Sequence, residues 1–148
     1  MSTSLVRGAT SGAVGTLALG GFALLRNTVL GHAPPYAARL ITSRLLSRVL
    51  HRPVRPGVAL AGSLGLRMTY GPLLALAWVR LRPALPASHL TRGVLLGGSV
   101  WALEHLTFPM LHATPPPHTW TRAERAFLLA QTLLFGLVTE RCLAALER

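Results

Sequence analysis

The hydrophobic positions of this chain gather into four long blocks separated by polar, arginine-bearing stretches. The first block, residues 5–30, holds eighteen consecutive uncharged residues at 8–25, near the lower limit for crossing a hydrocarbon core about 30 Å thick. The others cover 57–79, 92–111 and 126–146. Each is oily nearly all the way round a helix, the mark of a helix bathed in lipid rather than one with a water-facing side. The pattern predicts an all-α fold, an integral membrane four-helix bundle forming a single domain over residues 1–148.

A fifth element is predicted at 35–52. On a helical wheel, Ala38, Ile41, Thr42, Leu45, Leu46, Val49 and Leu50 cover one side. Ser43, Arg44, Ser47, Arg48 and His51 cover the other, while Arg39 and Leu40 break the pattern. A basic amphipathic helix of this length binds in the plane of an anionic membrane with its apolar face down. Arg39, Arg44, Arg48 and Arg52 are then the headgroup contacts. The alternative is a helix that covers one end of the bundle.

Several short signals mark the boundaries. Thr121-Arg122-Ala123-Glu124 has the spacing of a capping box and fixes the start of the last span. Arg122 and Arg125 fall at headgroup level, with Trp120 beside them as an interfacial aromatic. Pro34-Pro35 halts the first span and begins the amphipathic helix, since proline is tolerated in a first turn. Pro115-Pro116-Pro117 predicts a stiff polyproline II spacer. Glu140 and Arg141 make the far end of the last span less apolar, so that span is short or tilted. A cleaved signal is the competing account of the N-terminus. The apolar stretch ends in Leu24-Leu25-Arg26-Asn27 with no convincing small-x-small site there, and further blocks come after it, so a retained first span is expected.

Small residues recur at four-residue intervals: Gly8, Gly12, Thr16 and Gly20 in the first span, Gly57, Ala61, Gly65 and Thr69 in the second. Gly93 and Gly97 repeat the spacing in the third. Smooth stripes of this kind let membrane helices approach closely, within one chain or between copies.

Composition strengthens the membrane reading. Hydrophobic residues make up 51% of the chain and charged residues only 13%, too few charges to coat a water-facing surface. All fifteen basic residues are Arg and all four acidic residues are Glu, for a net charge of +11. Such a balance raises nucleic-acid binding. Here, however, the arginines gather at the ends of hydrophobic runs, which suits anionic lipid headgroups and not a phosphate-tracking groove. Arg without Lys, amid abundant Ala, Gly, Pro and Leu, also fits GC-rich bacterial codon usage. Eight arginines fall on the side of the first and third loops and six on the other, which places the basic helix in the cytoplasm and both termini outside. Cys142 is the single cysteine, so no internal disulfide or multi-cysteine metal site can form.

Ionisable residues inside a span cost about 2.5–3.5 kcal/mol each on insertion scales and are the first candidates for function. Arg67 lies near the middle of the second span and Glu104 in the third, at depths that differ by roughly 5 Å if the two run antiparallel. The expectation is an intramembrane ion pair between them, acting as a register clamp or as a substrate or proton site. Tyr70 and His105 are its neighbours in sequence. Tyr70-Gly71-Pro72 interrupts the second span, because Pro72 leaves the Met68 carbonyl without its helical donor. His89, His112 and His118 sit at or beyond the ends of the third span, and Pro109 breaks the helix between His105 and His112. No metal-binding spacing links these histidines, so no metal or other cofactor is expected.

The Gly-rich first span, Pro34-Pro35 leading into a helix with Arg39, Ile41 and Arg44, the Tyr70-Gly71 step, and Trp101 followed by Pro109 together resemble the YagU-like family of small bacterial inner-membrane proteins. The resemblance covers most of the chain. It implies four spans in the inner membrane and carries over no catalytic residues.

Three functions from different classes follow. The first is a non-enzymatic membrane subunit or accessory protein acting through helix packing and anionic-lipid contact, partnered by a second copy or another membrane protein. It expects a dry bundle in which Arg67 and Glu104 neutralise each other. The second is a small oligomeric transporter or channel, which expects a water-accessible cavity beside Arg67, Tyr70 and Glu104. The third is a haem-binding protein that uses His105 as a ligand.

Overall fold

In the computed structural model, which describes residues 2–85 and 88–148, each apolar block is one continuous helix and the basic stretch is a fifth. The helices are α1 (Ser2–Leu30), α2 (Ala38–Leu50), α3 (Pro56–Leu81), α4 (His89–Met110) and α5 (Arg122–Leu146). Single 3₁₀ turns lie at Arg82–Ala84 and Pro117–Thr119. Among the described residues there is no β-strand, and the chain is all-α. α1 and α5 are long and apolar enough to cross a membrane.

Local chemistry sets the helix ends. Gly31, directly after α1, has φ of 69°, the left-handed conformation that closes helices at their C-terminus. Pro34 then accepts a hydrogen bond from the Ala37 N–H at 2.9 Å. Pro35 occupies the second position of this turn, which its fixed φ suits. The proline pair therefore builds a turn and not the first turn of the next helix, and α2 starts at Ala38 rather than at 35. Ser88 caps α4 by accepting from the Thr91 N–H at 3.2 Å. The capping box on α5 is complete: Thr121 Oγ1 accepts from the Glu124 N–H at 3.1 Å, and Glu124 Oε2 accepts from the Thr121 N–H at 2.7 Å.

The prolines behave differently from one another. α3 runs through Pro72 without unwinding, contrary to the expected interruption at Tyr70-Gly71-Pro72. Proline removes one backbone donor, and close packing of α1 on this segment holds the helix together around the gap. Pro109 lies one residue from the end of α4, so the helix stops between His105 and His112 as its chemistry requires. Pro116 is extended, but Pro117 begins a 3₁₀ turn, so the triplet forms a bend rather than a straight spacer. That bend folds Trp120 inward. Its ring is 2% exposed, packs on Tyr36 at 5.3 Å and donates from Nε1 to the Pro115 carbonyl at 3.1 Å. Trp120 is a core residue here, not the interfacial aromatic expected.

The glycine stripes decide which helices touch. Gly12 lies against Gly71, Pro72 and Ala75 of α3, and Gly8 lies against Val79, so α1 and α3 pack antiparallel. On its other side α1 meets α5, with Gly15 against Phe135 and Thr139. α5 in turn packs antiparallel on α4, where Gly93 and Gly97 fit against Leu137, Leu133 and Gly136. The line Gly57, Ala61, Gly65 and Thr69 behaves otherwise. Its glycines, like Gly20 of α1, face open space, with no neighbour within 4 Å of where a Cβ would stand, while Gly62 receives Thr42 and Leu46 of α2.

The resulting order is α3, α1, α5, α4, with α2 packed on α3 at one end. Among the described residues α3 and α4 share no substantial interface, although they follow each other in the chain. Large apolar side chains are exposed on all four long helices, among them Leu17, Leu24, Leu64, Leu73, Leu106 and Leu129.

Candidate functional site: a cavity between two helices that do not pack

Because α3 and α4 stand apart, the space between them is bounded by α1 and α5 behind and α2 at the end. It forms a cavity of about 350 Å³ lined by side chains from all five helices. Leu66 of α3 and Leu103 of α4 both line it and are each 42% exposed, so they mark a mouth that opens sideways.

The polar lining comes from few residues. Arg67 and Tyr70 reach the cavity from α3 and Glu104 from α4. These residues are brought together as their positions in the apolar blocks suggested, but the expected ion pair is not formed. Among the described residues, Arg67 and Glu104 are not within salt-bridge distance of each other. The reason is architectural: their helices are separated by the cavity itself. The Tyr70 hydroxyl is the group that approaches the buried Glu104 carboxyl, and the Arg67 charge acts on it from farther away. His105 does not line the cavity. Its ring is held between Trp101 at 5.0 Å and Trp120 at 5.6 Å, and its Nδ1 is buried without a hydrogen-bond partner. Among the described residues no group of three or more His, Cys, Asp or Glu side chains could hold a metal ion.

Arg26 and Gln131 also line the cavity, and sequence reasoning does not single them out. Its place at the end of the first block puts Arg26 in a loop at headgroup level, yet α1 continues through it and it is only 2% exposed. Its guanidinium donates from Nη1 to Gln131 Oε1 at 2.6 Å, from Nε and Nη2 to Asn27 Oδ1, and lies 5.4 Å from the centre of the Tyr36 ring. The signal available is the length of the helix: nothing between Leu25 and Gly31 stops it.

Below Arg26 the ends of α1 and α5 are tied together. The Tyr36 hydroxyl donates to the Glu124 carbonyl at 2.6 Å. Burial pushes this hydroxyl's pKa up to about 12, against the opposing influence of Arg26, so it remains a donor. His32 Nε2 lies 3.1 Å from Glu124 Oε1. Burial alone would raise the Glu124 pKa, but its hydrogen bonds with Thr121 and His32 hold it below the ordinary carboxylate value.

Among the described residues, an arginine–glutamate pair buried on both sides lies at the opposite end. Glu140, 1% exposed, accepts from Arg82 Nε at 2.8 Å and from Trp78 Nε1 at 2.9 Å, with His89 Nδ1 at 3.3 Å. Arg82 also donates to Glu147. The partners are 58 residues apart in sequence; α3 and α5 are each antiparallel to α1 and so run parallel to each other, which brings their C-terminal ends together.

The basic helix is more committed to protein than expected. Arg44 donates to the Ala113 carbonyl at 2.9 Å and Arg48 to the Leu111 carbonyl at 2.8 Å. These carbonyls lie in the turn directly after α4, close to the negative end of its dipole, which cations complement. Two of the four arginines expected at headgroups thus bridge α2 to α4, while Arg39 and Arg52 are exposed.

No family model, no curated protein and no solved structure matches this chain.

Proposed function

We propose that the protein is a small non-enzymatic, multi-pass protein of the bacterial inner membrane that binds an amphiphile in the cavity between α3 and α4, kin to the YagU-like proteins. The observation that carries this reading is the convergence of Arg67, Tyr70 and Glu104 on one laterally open, mostly apolar cavity. A pocket with a few placed polar groups on apolar walls is the usual form of a small-molecule site, and 350 Å³ lies in the customary range.

Membrane placement is supported by the outer surface. Soluble monomers rarely expose broad contiguous apolar areas, yet large apolar side chains are exposed along all four long helices here. Arg67 of α3 and Glu104 of α4, both set well inside apolar blocks, turn to the cavity. That placement is what ionisable groups at membrane depth require. Packing alone would call for a dry seam between neutralised charges, and the separation of Arg67 from Glu104 favours a bound guest over such a clamp.

The test has two steps. The chain should stay with membranes through an alkaline wash, and after mild detergent extraction it should carry an amphiphile that Leu103→Trp, which fills the mouth, excludes. Release by the wash, or equal amphiphile content in the Trp variant, would discard the reading.

A further inference from the structure

The charges around the cavity also say what kind of head the guest carries; this step rests on the cavity reading above. Arg67 offers a cation from the α3 wall and has no ion-pair partner among the described residues. Glu104 offers a buried carboxyl from the α4 wall with the Tyr70 hydroxyl beside it. Arg26 keeps its charge at the back of the cavity, but its guanidinium is committed to Gln131, Asn27 and the Tyr36 ring, which leaves Arg67 as the cation facing Glu104 across the space. A purely anionic head on Arg67 would face Glu104, and a purely cationic head on Glu104 would face Arg67. Like charges brought to within a few ångströms repel. A head with one charge of each sign meets both groups with attraction.

We propose that the cavity takes the head of a zwitterionic aminophospholipid, its phosphate on Arg67 and its primary ammonium on Glu104, with the acyl chains leaving between Leu66 and Leu103. Guanidinium is the side chain best matched to phosphate oxygens. A primary ammonium has three N–H donors to share between the Glu104 carboxylate and the Tyr70 oxygen, which a quaternary ammonium lacks. The volume of about 350 Å³ suits a head and the start of its chains and is too small for the whole lipid. An opening toward the side of the bundle lets the rest remain in the bilayer.

Purified full-length protein in mild detergent would be titrated with phosphatidylethanolamine, phosphatidylglycerol and phosphatidylcholine of identical chains, and bound lipid counted by native mass spectrometry. One equivalent of phosphatidylethanolamine should bind about tenfold more tightly than the other two, the scale of one charge-assisted hydrogen bond. Glu104→Gln, nearly isosteric, should erase that preference, and Arg67→Gln should weaken all three lipids about tenfold. Unfolding temperatures measured on the same samples identify any variant that fails to fold, and Tyr70→Phe, which also loses part of the preference, provides a second probe. Free phosphoethanolamine should not displace the lipid; displacement at equal concentration would overturn the lipid assignment. If the three lipids bind equally and Leu103→Trp still excludes them, the head assignment falls and the cavity reading stands. If none binds, or Leu103→Trp changes nothing, both fall.

Discussion

At the scale of single residues, the scarcity of acid organises this molecule. There are four glutamates against fifteen arginines, and every one of the four is engaged: Glu104 in the cavity, Glu124 in a helix cap, Glu140 and Glu147 with Arg82. Glu140 is the most demanding, since it holds Arg82, Trp78 and His89 while almost wholly buried. Removing one partner of a buried ion pair strands the other, so Glu140→Ala should cost about 3–5 kcal/mol of stability in detergent unfolding. The double variant Arg82→Met, Glu140→Leu should recover most of that loss, because it leaves no buried charge unpaired; Glu147, which also loses Arg82, is exposed to solvent. A double variant as unstable as the single would show that packing around Glu140, and not its charge, holds this end together. Glu124 gives a prediction in pH. Its pKa is depressed in the folded state, so its contribution is complete above the unfolded value near about 4.3 and disappears as pH falls through the lower folded value. The unfolding temperature should therefore drop over that acidic window, and Glu124→Gln should lack this part of the drop while starting lower at neutral pH. Arg67 and Glu104 were legible in the sequence because a charge inside an apolar block stands out by itself. Arg26 and Glu140 were not, because each sits near the end of a block where a loop position looks equally natural.

At the scale of helices, block boundaries were readable because caps, prolines and Gly31 act locally. The four apolar blocks correspond to α1, α3, α4 and α5 within a few residues at each end. Which face meets which partner was not readable, since small residues look alike whether or not they are covered. Gly65 and Gly136 make the contrast. A Cβ on Gly136 would collide with the Gly93 carbonyl and the Gly97 backbone nitrogen, whereas a Cβ on Gly65 would meet nothing within 4 Å. Gly136→Ala should destabilise the α4–α5 pair by about 1–3 kcal/mol, the usual cost of overpacking. Gly65→Ala should instead gain up to about 1 kcal/mol from helix propensity. Opposite signs in thermal unfolding would establish the pairing; equal effects would remove the argument that the α4–α5 seam depends on bare backbone contact. The basic helix teaches the same lesson. Its amphipathic pattern is sound, but the pattern does not reveal that Arg44 and Arg48 would find the carbonyls at the end of α4.

At the scale of the whole molecule, the functional reading depends on one gap. α3 and α4 are neighbours in the chain but are spaced apart by α1 and α5, and α2 closes one end of the space by packing on α3 and bonding to α4. This leaves the side between Leu66 and Leu103 as the entrance. Cysteine chemistry can distinguish such an entrance from a plain lipid-facing surface, because the thiolate is the reactive form and needs a polar setting. Leu106, three residues beyond Leu103 on α4, does not line the cavity and is more exposed, at 65% against 42%. Exposure alone would make a cysteine at 106 the faster to react. If the cavity beside Arg67 and Glu104 is polar and open, the order reverses. In a background with Cys142→Ala, Leu103→Cys should react with a small maleimide about tenfold faster than Leu106→Cys in reconstituted membranes. Equal rates, or a faster Leu106→Cys, would mean that the space between α3 and α4 is closed to water and that Arg67 and Glu104 serve only the packing of the bundle.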